Sequence, residues 1–230
     1  MNPFENQLLE ELSMSRLNNE RAFIFAGGRL GGWALELAAP GDYLIGADRG
    51  AEFLVRHGRK PDLALGDFDS VTEEELRQIA SEAKQLLACD AFDKDWTDTE
   101  LALREALDRG FKRIVAAGAL GTRLDHTLGN VHLLRQAHER GASLTLVDEF
   151  NEIRLCADRL QLEADARFPY VSLLPLTMEA AGVTLRGFRY PLQDATLKLG
   201  WSLGISNVLE AESGTIELAD GLLLVIRSRD

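Results

Sequence analysis

Short apolar runs alternate with helix-like stretches through the first ~150 residues, and the runs end in Gly or Asp. Ala22–Ala26 (AFIFA) ends in Gly27-Gly28, Tyr43–Ala47 (YLIGA) in Asp48, Leu63–Gly66 in Asp67, and Ile114–Ala117 in Gly118. Leu86–Cys89 is a further candidate strand, and Leu144–Val147 closes the series. Between them lie helix signals. Ala51–His57 reads as a short helix. Thr72 and Glu75 form a capping box ahead of Leu76, Ile79, Ala83 and Leu86. Thr97 and Glu100 form a second box, opening a helix that stops at Gly110, and Asp125–Glu139 ends near Gly141. Strand–helix alternation of this kind predicts an α/β fold, a Rossmann-like, mostly parallel sheet with helices on its faces. Ligands of such sheets bind beyond the carboxyl ends of the strands. The glycines and aspartates that follow the runs are therefore expected to share one rim.

The pattern changes after about Asn151. Val171–Leu174, Val183–Leu185, Thr215–Leu218 and Leu222–Ile226 read as short strands separated by turn signals, and no convincing helix follows Glu152. Asp220-Gly221 is expected to make a tight hairpin between the last two. The reading is a small all-β sandwich domain over residues 151–230, after an α/β domain over residues 1–150, with the boundary near Asp148–Ile153. Residues 1–20 are compatible with a loose helix or an arm.

Charge and composition remove several classes. The net charge is −12, and no Lys/Arg run offsets it, so a nucleic-acid partner is not expected. No apolar run reaches the ~18–20 residues of a membrane helix. The first residues lack a basic segment followed by an apolar core, so a cytoplasmic protein without a secretory leader is expected. Cys89 and Cys156 are far apart, which argues against a disulfide framework or a zinc knuckle. The acidic excess is concentrated. Residues 62–98 hold eleven carboxylates against three basic residues, whereas residues 151–230 hold eleven against eight. Glu73-Glu74-Glu75 is the solvated face of a helix; the remaining Asp cluster falls in loops.

Three loop segments carry candidate chemistry. In Gly66-Asp67-Phe68-Asp69-Ser70, an extended backbone would aim Asp67 and Asp69 at one point and pack Phe68 on the other side. Converging carboxylates repel unless a proton or cation lies between them, and all-oxygen ligation favours Mg²⁺. The alternative is an Asx-rich turn before the helix at Thr72. In the segment Asp93–Asp98, Asp98 begins a helix and Lys94 suits a phosphate oxygen; the alternative is an acidic residue that merely improves a helix start. Gly118–His126 is a Gly-bearing loop between strand and helix, a usual place for phosphates, with Arg123 able to clamp one. Asp125 is equally the N-cap of the next helix. His57, His132 and His138 form no ligand pattern. P-loop, dinucleotide-binding, nucleophile-elbow and zincin motifs are absent. Carboxylates, one Lys, one Arg and glycine loops suit Mg²⁺-dependent phosphoryl chemistry.

Taken in order, these segments resemble the thiamine pyrophosphokinase (thiamine diphosphokinase) family. The stretches that carry the resemblance are Ala47–Ala51, Pro61-Asp62, Gly66–Ser70, Lys94–Asp98, Gly118–Asn130, Val171–Thr177, Tyr190–Leu192 and Gly204–Asn207. The resemblance implies transfer of the pyrophosphoryl group of ATP to the thiamine hydroxyl, giving thiamine diphosphate and AMP. It implies Mg²⁺ held by Asp67, Asp69 and Asp98, which are also the catalytic candidates. It assigns ATP or metal–phosphate contacts to Asp48, Lys94, Arg123 and Asp125. Ser206 and Asn207 match the segment lining the thiamine pocket. A homodimer with thiamine near the subunit boundary is implied as well. Arg49 departs from the family, which often has Gly there; a phosphate contact and a solvent-facing side chain are both open. Two rivals remain at this level: a pyrophosphokinase for another alcohol, and a non-catalytic nucleotide- or thiamine-sensing module.

Overall fold

The computed structural model describes residues 21–88 and 96–230; residues 1–20, Cys89 and Lys94 lie outside them. The chain divides into two compact units, Met1–Asp148 and Glu149–Asp230.

The first unit runs β1 (Arg21–Phe25), α1 (Gly32–Leu37), β2 (Tyr43–Ala47), α2 (Arg49–Arg56), β3 (Leu63–Gly66), α3 (Glu73–Glu82), β4 (Leu86–Ala88), α4 (Asp98–Asp108), β5 (Arg113–Ala117), α5 (Leu124–Glu139) and β6 (Ser143–Val147). All six strands are parallel, in the order β6-β5-β1-β2-β3-β4. This is the expected parallel α/β sheet. Phe23, Ile24, Phe25, Ile45, Leu63 and Leu65 have essentially no exposed surface, as strands covered on both faces require. The short helix α1 was not anticipated. The capping box at Thr72 and Glu75 forms in full. The one at Thr97 forms only in half: the Thr97 hydroxyl accepts from the Glu100 N–H at 3.2 Å, but the Glu100 carboxylate turns to Arg104 and Gln136. Helix α5 starts at Leu124 with Arg123 as N-cap, so Asp125 sits in the first turn and is not the cap.

The second unit contains β7 (Asn151–Cys156), β8 (Arg159–Glu163), β9 (Tyr170–Pro175), β10 (Glu179–Arg186), β11 (Ala195–Lys198), β12 (Asn207–Val208), β13 (Ser213–Glu217) and β14 (Leu223–Ser228). They form two antiparallel layers, β12-β9-β14-β7 and β11-β10-β13-β8. Leu162, Val183, Leu185 and Ile216 of one layer pack with Val171, Leu173, Leu223 and Val225 of the other, giving the expected sandwich core. Burial pushes the thiol of Cys156, in the same core, up to about 11, so it is chemically quiet. The Asp220-Gly221 hairpin does not form. Strand β13 pairs with β8 and β10, whereas β14 pairs with β7 and β9. The dipeptide instead carries the chain from one layer to the other. Asp220 bridges to Ala181, and a Cβ on Gly221 (φ +94°) would lie 2.5 Å from the Glu179 carbonyl oxygen. Glycine is needed there for close approach, not for a two-residue turn.

Candidate active site

Strand order reverses between β1 and β5, and a crevice at such a switch point is where open α/β sheets bind ligands. Here the loops after β1 and β5 touch. The Gly28 N–H donates to the Gly118 carbonyl at 3.0 Å, and the Ala26 N–H to that of Ala117 at 2.8 Å. Asp48 follows β2, and Asp67 and Asp69 follow β3, so the expected rim is present.

The acidic residues meet there for a reason other than the one expected. The backbone from Gly66 to Ser70 is not extended: Phe68 has φ +55°, a conformation rare for a bulky residue. Its ring is buried against Ala51, Ala64 and Ile79. The Asp69 N–H donates to Asp67 Oδ1 at 3.3 Å, closing an Asx-type turn. An anchored ring and a tight turn therefore hold both carboxylates on the rim. The Asx turn of the alternative reading is present, and it brings the two carboxylates close together. Asp48 has a positive φ as well, +50°. Outliers of this kind cost about 1–3 kcal/mol each and persist where the surroundings enforce them.

Asp48, Asp67 and Asp69 each offer an oxygen within 4.8 Å of the others. Asp48 is only 9% exposed. The Ser70 hydroxyl donates to its Oδ2, while its Oδ1 is buried with no partner among the described residues. Burial raises the Asp48 carboxyl above its ordinary range; Ser70 and the Arg49 backbone N–H oppose this, and Asp98 and Asp67 add to it. Asp98 is the first residue of α4, and its Oδ1 would lie 3.3 Å from a Cβ on Gly66. It borders the rim but is outside the three-oxygen group.

Two clefts flank Gly27-Gly28. One, of about 300 Å³, runs between Asp48, Thr97–Thr99, Gly118–Arg123 and Asn130. The buried Asn130 amide donates to the Ala119 carbonyl at 2.7 Å and so shapes the glycine loop. Arg123 is paired with Asp125 at 2.6 Å, which holds the Asp125 carboxyl down at about 2. The second cleft, of about 340 Å³, is lined by Arg49, Phe53, Arg56, Ser70 and Glu75. Arg49 Nε donates to the Ser70 carbonyl at 3.3 Å, and Arg56 pairs with Glu52 at 3.2 Å.

In the second unit, Ser206 has φ +58° and its N–H donates to Ser172 Oγ at 3.0 Å. The buried Asn207 amide is spent on backbone: Oδ1 accepts from the Tyr190 N–H at 3.1 Å and the Val208 N–H at 2.8 Å, and Nδ2 donates to the Tyr190 carbonyl at 2.8 Å. Sequence reasoning assigned no role to Ser70 or Asn130. Both stand inside motifs already singled out, Gly66–Ser70 and Gly118–Asn130, and only their hydrogen bonds distinguish them.

Residues 35–146 match the family model described as thiamin pyrophosphokinase, catalytic domain, and residues 158–223 match its vitamin B1 binding domain. The chain belongs to the thiamin pyrophosphokinase family. A thiamine pyrophosphokinase of Bacillus subtilis is 39% identical over 187 residues, covering 81% of this chain and 87% of the relative. The crystal structure of thiamine pyrophosphokinase from Bacillus subtilis superposes with a TM-score of 0.84 at 35% identity, covering 91% of this chain and 99% of that one. For the Geobacillus thermodenitrificans structure the TM-score is 0.82 at 34% identity, covering 91% and 98%.

Proposed function

We infer that this chain transfers the pyrophosphoryl group of ATP to the hydroxyl of thiamine, giving thiamine diphosphate and AMP, and that the acidic rim is where it does so. The observation that carries the assignment of the site is the convergence of three carboxylates beside a strand-order switch point, in a chain of this family. The donor set fits Mg²⁺. It is all oxygen, and it includes a buried Asp48 oxygen with no partner among the described residues. Asp48, Asp67 and Asp69 would hold the ion, with Asp98 beside them. Bound there, Mg²⁺ would supply charge neutralisation at the phosphate oxygens.

The remaining work is positioning. The thiamine hydroxyl oxygen bonds to the β-phosphorus, the bond from that phosphorus to the α–β bridging oxygen breaks, AMP leaves, and the hydroxyl proton is released. Such a displacement needs in-line placement more than covalent catalysis. Arg123 and Asp125 border the phosphates at the start of α5, where backbone N–H groups favour anions. Lys94 is proposed to contact phosphate from its sequence alone. Ser206 and Asn207 line the thiamine pocket, Asn207 acting by holding the Tyr190 backbone. The working form is a cytoplasmic homodimer with the thiamine pocket near the subunit boundary.

The test is purified protein with ATP, Mg²⁺ and a panel of alcohols, scoring AMP against ADP. Thiamine-dependent AMP and thiamine diphosphate are expected. ADP and thiamine monophosphate would overturn the pyrophosphoryl assignment, and turnover with another alcohol alone would overturn the acceptor.

A further inference from the structure

The first turn of a helix is its least secured part, because its N–H groups have no intrahelical acceptor. Asp48, Asp67 and Asp69 follow strands, whereas Asp98 stands in such a turn, as the first residue of α4. Its place on the rim therefore depends on how the chain is held as it enters that helix.

The cap of α4 is incomplete. At α3 the Glu75 carboxylate returns to the Thr72 N–H at 2.7 Å and closes the box. At α4 the corresponding carboxylate, that of Glu100, faces along the helix. Its Oε1 accepts from Arg104 Nε at 3.0 Å and from Gln136 Nε2 of α5 at 3.2 Å. What this arrangement gains is a fixed guanidinium. Arg104, so held, lies 4.3 Å from the centre of the Trp96 ring, a cation–π contact.

Trp96 precedes the Thr97 N-cap, and a side chain in that position sets the angle at which a chain enters a helix. Its ring is laid back along α4 over a residue two turns further on. At 42% exposed, it is not there to fill the core. The contact takes over the task that the missing half of the capping box leaves undone, and it does so two residues before Asp98.

We propose that Trp96 and Arg104 are positioning residues: stacked on each other, they fix the entry of α4 and so the place of the Asp98 carboxylate on the rim. They act through Asp98 and not on the substrates. The proposal rests on the reading above that the rim holds a divalent cation with Asp98 beside it.

The experiment reads Mn²⁺ binding to the protein alone by electron paramagnetic resonance, thermal melting, and turnover with ATP and thiamine. The variants are Asp98→Asn, Trp96→Ala, Trp96→Phe, Arg104→Gln, Arg104→Lys, and Trp96→Ala combined with Asp98→Asn. The Mn²⁺ dissociation constant should rise about 3- to 30-fold in Asp98→Asn, the scale of one charge a few ångströms from a dication in water. It should rise in Trp96→Ala and Arg104→Gln too, and stay at the wild-type value in Trp96→Phe and Arg104→Lys, which keep a ring and a cation. Turnover should fall about 10- to 100-fold in Trp96→Ala with both KM values unchanged, the cost of a misplaced group. In the Asp98→Asn background, Trp96→Ala should cost nothing further in either measurement. Should Trp96→Ala fail to fold, Arg104→Gln carries the same comparisons.

A lower melting temperature with Mn²⁺ affinity and turnover intact would make the stack a fold element only and overturn the proposal. An added loss from Trp96→Ala on top of Asp98→Asn would overturn it as well, and so would a wild type that binds no Mn²⁺. The Mn²⁺ measurement involves neither ATP nor thiamine. A chain that gives the expected Mn²⁺ results yet forms no thiamine diphosphate would sink the transfer reading and leave the positioning of Asp98 standing.

Discussion

The two units handle polar side chains in opposite ways. In the α/β unit, parallel strands deliver Asp48, Asp67, Asp69 and Gly118 to one rim, because chain direction alone puts every strand end there. In the β unit, neighbouring strands run antiparallel and no edge collects their ends. Of its candidate residues, Ser206 itself takes the positive φ and Asn207 spends its amide on backbone hydrogen bonds. In the first unit topology marks a site, while in the second a residue is read only through its partners.

The comparison is sharpened most by Asp69→Asn. Asp69 is exposed and its side chain supports no buried structure, so melting should be unchanged. Loss of one charged oxygen beside a metal–phosphate centre should cost roughly 10²–10³ in turnover. Wild-type activity at saturating Mg²⁺ would remove Asp69 from the rim's chemistry.

Asn207→Ala probes the other unit. It strands the N–H and carbonyl of Tyr190, a loss of about 1–3 kcal/mol. The KM for thiamine should rise about tenfold with that for ATP unchanged. A lower melting temperature with both constants intact would make the amide a fold element only and break the analogy with the acidic rim.

The smallest expected effect concerns Asp48→Asn, and it runs in the stabilising direction. A carboxyl raised by burial binds more protons folded than unfolded, so its contribution is full at low pH and is lost as pH rises through the folded value. At neutral pH without divalent cation, the amide should therefore stabilise the protein by about 1 kcal/mol. The gain should vanish on acidification, and Mg²⁺ should reverse the ranking. A destabilised Asp48→Asn at neutral pH would show that the charge is already compensated.

What the sequence revealed divides along the same line. Five of the six parallel strands were legible as apolar runs, and Leu86–Ala88 as the described part of a sixth candidate, because burial on both faces leaves an uninterrupted signature. Of the eight strands in the sandwich, β7, β8, β11 and β12 went unread. In β7 and β11 only one or two side chains enter the core, and β12 is two residues long. At the site, residue types were readable and geometry was not. The turn at Phe68 depends on burial of its ring under α3, a contact no local pattern encodes. Asp220-Gly221 misled for a similar reason: the dipeptide reports a close backbone approach, and which strands it joins is decided by pairings far away in sequence.

That change of layer at Gly221 bears on how the molecule is made. Strand β14, Leu223–Ser228, lies between β7 and β9, which precede it by some 50 to 70 residues. Neither neighbour pairs with the other, so the central pairings of this layer cannot form while β14 is missing. Closing loops of that length is slow. During synthesis the α/β unit has all its described strands before Glu149 is added, whereas the sandwich must wait, with its apolar faces uncovered, for Leu223–Ser228. The window between those two moments is when the nascent protein has most need of a chaperone.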